Sequence, residues 1–112
     1  ILPITEIPPF LSEDNWPKFS RDSLLRNVVY PESARKAGIT GRIVIDTKID
    51  RNGDPVEFKV INPQKKTKEL EDAVIEGIKK VKFRPATSHN RPVAFWIKIA
   101  VTFELDVLGV IK

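Results

Sequence analysis

Residues 93–107 read VAFWIKIAVTFELDV, and in this stretch Val93, Phe95, Ile97, Ile99, Val101, Phe103, Leu105 and Val107 place an apolar side chain at every second position. Side chains alternate faces along a strand, so the spacing predicts one long strand with these eight residues on a single face. Ala94, Trp96, Lys98, Ala100, Thr102, Glu104 and Asp106 then share the other face. One face reads as core and the other as largely solvated.

Working outward, the preceding segment changes period. Leu70, Ala73, Val74, Gly77, Ile78 and Val81 fall on one stripe of a helix over 67–81, with Thr67 as N-cap and Pro85 as a stop. Glu69, Glu71 and Asp72 lie in its first turns and Lys79, Lys80 and Lys82 at its end, a charge order that complements the helix dipole at both poles. The residues 86–91 between helix and strand read as a loop.

Further upstream, residues 42–50 alternate, with Ile43, Ile45, Thr47 and Ile49 on one face. Asn52-Gly53 predicts a tight hairpin, because both residues tolerate the positive φ of such turns. The return strand is expected to point Val56, Phe58 and Val60 inward and Glu57 and Lys59 outward. Before these strands, Ser20 or Asp22 can cap a short helix carrying Leu24, Leu25, Val28 and Val29. Pro31 opens a second short helix at its first position, with Ala34 and Ala37 following and Gly38 as the left-handed stop.

These elements predict an α+β domain: a three-stranded sheet of order 2-1-3 with one main helix and short N-terminal helices packed on one face. The hairpin makes strands 1 and 2 antiparallel, and the crossover helix makes strand 3 antiparallel to strand 1 and parallel to strand 2. Strand 3 is then an edge, and Pro55 suits strand 2 to the opposite edge. A helix over 67–81 is about 22 Å long at ~1.5 Å per residue, while an extended 93–107 spans about 50 Å at ~3.3 Å per residue. The surplus apolar edge therefore needs the N-terminal segment, a second copy of the chain or a foreign peptide beside it.

The chain has 112 residues, 41% hydrophobic and 30% charged, enough for one core and one domain. Residues 1–19, which include Pro3, Pro8, Pro9 and Pro17, read as an extended proline-rich lead-in, and 20–112 as the domain. Ile7, Phe10, Trp16 and Phe19 in the lead-in are expected to lie partly along the domain surface. No stretch reads as a membrane span or export leader. With no methionine at position 1, the chain is expected to be a fragment or processed form, so an absent anchor proves nothing.

With no cysteine in the chain, disulfides, thiol nucleophiles and cysteine metal sites are excluded. His89, the single histidine, reads as an ordinary loop residue. Ser88 beside it does not make a catalytic arrangement, since sequence neighbours rarely face each other and a hydrolase needs a converging third group. No catalytic residue, metal or cofactor is expected. The net charge of +4 comes from mixed signs; the lysine clusters at 65–68 and 79–84 lack interleaved aromatics and read as solvated faces, not a nucleic-acid site. Trp96, opposite the main stripe, is open between packing on the proline-rich segment and serving as a binding platform.

Taken in order, Tyr30-Pro31, Ala34, Gly38, Gly41, the 43–49 alternation, Asp50 with Asn52-Gly53, Leu70, Ala73, Phe83, Pro85-Ala86, Pro92-Val93 and Val101-Thr102-Phe103 resemble the C-terminal domain of the TonB family over about residues 28–105. Pro63, Ala100 and the His89-Asn90 turn depart from the family's usual residues.

The resemblance implies a periplasmic domain of an inner-membrane-anchored energy transducer. Its missing N-terminal region would join a proton-driven motor complex through a proline-rich spacer. It also implies capture of the plug-end peptide of an outer-membrane transporter by β-strand addition. The binding positions carried over are Val93, Ala94, Phe95, Trp96, Ile97, Lys98 and Ile99, with Tyr30 and Pro31 near the same peptide; Tyr30 is open between a packed ring and a direct contact. An envelope assembly or scaffolding module of the same fold, without a transport role, is the alternative, and pairing of two copies through their open edges is a further expectation.

Overall fold

The computed structural model describes residues 15–105. The expectations placed on Ile7, Phe10, Asp106 and Val107 lie outside the described residues. Among these residues three α-helices, α1 Arg21–Asn27, α2 Glu32–Lys36 and α3 Lys68–Lys79, accompany five strands: β1 Gly41–Ile49, β2 Pro55–Ile61, β3 Ala86–Ser88, β4 Arg91–Val93 and β5 Phe95–Phe103. The main sheet has the order β2-β1-β5 with both neighbouring pairs antiparallel, which is the predicted 2-1-3 arrangement.

The core forms between the helices and the sheet face that carries the odd-numbered residues of β1 and β5 and, from β2, Phe58 and Val60. Ile43, Ile45 and Ile49 of β1 and Ile99, Val101 and Phe103 of β5 meet Leu70, Val74 and Ile78 of α3, with Leu24 of α1 and Ala34 of α2 closing the layer. Ser20 caps α1 by accepting a hydrogen bond from the Ser23 N–H at 3.2 Å. Gly38, at φ 71°, makes the left-handed stop expected after α2.

Several local expectations are corrected. The long strand is broken: residues 86–93 form a small hairpin, β3 with β4, in place of a loop, and Ala94 separates it from β5. The turn of this hairpin sets His89 and Asn90 both at positive φ, 52° and 64°, a conformation that two-residue hairpin loops demand. β5 has nine residues, about 30 Å at ~3.3 Å per residue, not 50 Å. Leu105 lies past its end and is 38% exposed, so it is not core.

The β1–β2 connection also differs from a two-residue turn. Gly53 has φ 85°, but Asn52 is not at positive φ. The Asp50 carboxylate organises the loop instead, accepting from the Asn52 and Asp54 N–H groups at 2.9 Å each. Opposite Lys48 and Ile49 the register slips, so Pro55 pairs with Ile49 and Val56 has no partner. That bulge turns Val56 outward, 48% exposed.

Val29 is 68% exposed, because α1 ends at Asn27 and the chain is extended by Val28. Pro31 is the N-cap of α2, one position before that expected. Glu71, expected to serve the helix dipole, is buried and accepts from the Gln64 N–H at 3.1 Å and the Thr67 hydroxyl at 3.0 Å, tying the turn after β2 to α3.

Candidate functional site

The free edge of β5 is the feature with chemistry to spare. Nine consecutive residues pair with β1 without a slip, from Gly41 opposite Phe103 to Ile49 opposite Phe95. On an antiparallel edge strand, successive residues turn their backbone N–H and C=O alternately toward the partner and away from it. The guanidinium of Arg21 donates to the Ala100 carbonyl at 2.8 Å. A carbonyl open to that approach faces away from β1, which assigns the backbone groups of Trp96, Lys98, Ala100 and Thr102 to the free side. Among the described residues no strand pairs with that side.

The strand is held from its other face. Phe95, Ile99, Val101 and Phe103 are buried. At one end Trp16 packs on Phe95 with ring centroids 6.1 Å apart, in a small cluster with Ala86 and Val93. At the other, Tyr30 meets Phe103 edge-on at 5.1 Å and 74°, while its hydroxyl donates to the Ile39 carbonyl. The Tyr30 ring is thus buried packing that supports the end of β5. Anchored at both ends, the strand holds its backbone extended with little conformational entropy left to lose on pairing.

On the outer face Lys98 Nζ reaches Asp46 Oδ1 on β1 at 3.2 Å. Trp96 is half-buried beside Lys48, and its indole N–H is buried without a hydrogen-bond partner, as is that of Trp16. Val93 lies in β4, opposite Ala86, and Ala94 at the break, so the carried-over positions 93–99 are one edge only from Phe95 onward. Pro31, with Val29 and Ala73, lines a shallow groove against α3. The hydrogen bond from Lys68 to Asp72 on α3, reinforced by the carboxylate charge, raises the Lys68 ammonium above its ordinary pKa.

Ser88 Oγ approaches His89 Nδ1 to 3.3 Å, contrary to the expectation that these neighbours do not face each other. The contact is exposed. Among the described residues no group of three His, Cys, Asp or Glu side chains could hold a metal ion, and no helix is long and apolar enough to cross a membrane. Arg21 went unnoticed in the sequence: it lies 79 positions from Ala100, and the only local signal is a cation in the first turn of a helix, where the dipole disfavours it.

A nine-residue anchored edge with this topology can be set beside known proteins. The family model for the Gram-negative bacterial TonB protein C-terminal matches residues 26–105. The chain belongs to the TonB C-terminal family. Protein TonB of Vibrio cholerae serotype O1 is 32% identical over 77 residues, covering 69% of this chain and 31% of that protein. Protein TonB of Xanthomonas campestris pv. campestris is 26% identical over 77 residues, covering 69% and 34%. The chain thus spans about a third of the length of these curated TonB relatives. In fold, it resembles the solution NMR structure of the Pseudomonas aeruginosa TonB CTD, with a TM-score of 0.61 at 24% identity, over 84% of this chain and 91% of that one.

Proposed function

We propose that this domain captures an extended peptide as a further strand on the free edge of β5, and that the peptide is the plug-end segment of an outer-membrane transporter. The observation that carries the reading is the nine-residue, slip-free β5, whose second side no strand of the described residues occupies. Strand addition draws affinity from main-chain hydrogen bonds and register from side-chain contacts, and needs no catalytic group. Trp96 and Lys98 supply main-chain donors and acceptors. Phe95, Ile97 and Ile99 spend theirs on β1 and hold the edge straight, with Val93 and Ala94 at the break where a visiting strand enters or leaves.

In this reading the domain is the periplasmic, force-receiving end of a TonB-type energy transducer, joined through a region N-terminal to Ile1 to an inner-membrane anchor and a proton-driven motor complex. A row of strand-to-strand hydrogen bonds shares a shearing load, which suits a module that is pulled. Pairing of two copies would use the same edge and compete with peptide. Titration with transporter plug-end peptides should move the amide resonances of residues 95–103 and leave those of β2 in place. Peptide binding that maps to β2 or α3 instead contradicts the reading.

A further inference from the structure

Arg21 is the one described side chain that hydrogen-bonds across to the free backbone of β5, and it does so from an unfavourable place. It stands at the first position of α1, where the positive helix pole repels a cation, and its guanidinium reaches the Ala100 carbonyl at 2.8 Å. The contact is exposed, so water competes for both groups and the bond is held weakly. An incoming strand can pair with Trp96 and Lys98 without touching it. To continue to Ala100, one residue pair further along, the strand must push the guanidinium aside.

The displaced guanidinium remains charged and within reach of the residue that replaced it. Lys98, two positions away, is 71% exposed, but its ammonium lies 3.2 Å from Asp46 on β1, on the side away from the visiting strand. At the far half of the edge the cation that meets an incoming strand is therefore Arg21. A carboxylate arriving there converts a lost hydrogen bond into a charge-assisted, two-pronged one, the geometry for which a guanidinium is best suited. A neutral residue leaves the guanidinium without its acceptor, and a lysine adds repulsion.

We infer that Arg21 is a displaceable latch on the edge of β5 that selects a strand carrying an acidic residue where it reaches Ala100. The inference rests on the strand-addition reading and adds to it the class of peptide and the residue that reads it. The latch also sets a length rule: peptides that pair only as far as Lys98 are indifferent to Arg21, and longer ones are not.

The test uses a set of synthetic seven-residue apolar strand peptides in which one Asp is moved through the sequence, each compared with its Ala and Lys counterparts. Binding is followed by calorimetry and by amide shifts of the domain and its Arg21→Ala and Arg21→Lys variants. The wild-type domain should prefer Asp at one position by about fivefold over Ala, with Lys weaker still. In Arg21→Ala that preference should vanish while the all-neutral peptide binds tighter than to wild type; Arg21→Lys should keep part of the preference. Equal discrimination by wild type and Arg21→Ala, with shifts along 95–103 in both, overturns the latch and leaves strand addition standing. No peptide-induced shift along 95–103 in any of the proteins overturns both.

Discussion

The two outer strands of the same sheet treat their edges in opposite ways. β2 starts with Pro55, slips register at Val56 and carries Glu57 and Lys59 outward, with the Glu57 carboxylate 3.7 Å from Lys48. Proline, a bulge and alternating charge are the devices by which proteins keep an edge from recruiting another strand. β5 has none of them within Phe95–Phe103: no proline, no slip, and a single cation, Lys98, among its nine residues. One border is closed against pairing and the other kept straight and anchored. The contrast is what favours β5 over β2 in the proposed strand addition.

The strongest way to break the comparison is proline placed by register. Lys98→Pro removes an N–H assigned to the free side, so the domain should stay folded while plug-peptide affinity falls on the order of a hundredfold. Ile99→Pro, one residue on, removes an N–H spent on β1 and should unfold the sheet instead, visible as loss of amide dispersion. A folded Ile99→Pro domain, or a Lys98→Pro domain with unchanged affinity, would mean that the alternation has been assigned to the wrong side.

The closed side can be probed at its turn. A Cβ on Gly53 would lie 2.2 Å from the Phe83 carbonyl oxygen, and the residue sits at φ 85°. Gly53→Ala should therefore cost about 2 kcal/mol of stability by chemical denaturation, yet leave peptide affinity of the folded protein unchanged. A smaller effect is expected at the anchored end of β5. Tyr30→Phe loses the hydroxyl bond to Ile39 but keeps the ring against Phe103, costing about 1 kcal/mol, again with affinity preserved. Loss of affinity without loss of stability would instead show Tyr30 touching the peptide.

Much of this asymmetry was legible in the sequence, and its limits are physical. The sheet order, the edge placement of β5 and the proline guarding β2 follow from periodicity and the hairpin. The break at Ala94 does not, because Val93 and Phe95 continue the alternation across it, and the His89-Asn90 turn reaches positive φ without the glycine that announces such turns. Glu71 read as a dipole partner because its burial depends on how the turn after β2 folds back on α3. β5 is the border that the periodicity predicts, but it is shorter than the alternation over 93–107 implies. The Arg21 contact joins residues 79 positions apart, and its one local signal, a cation in the first turn of α1, does not name the acceptor.

The measurement that bears most directly on the free edge is residue-by-residue amide hydrogen exchange along β5, alone and with a saturating plug-end peptide. In the free domain, Ile97, Ile99 and Val101 should be protected by their bonds to β1, while Trp96 and Lys98 exchange quickly. Peptide should slow Trp96 and Lys98 and change the other three little. Trp96 and Lys98 amides as protected as their neighbours before any peptide is added would show the border already taken, and would contradict the account.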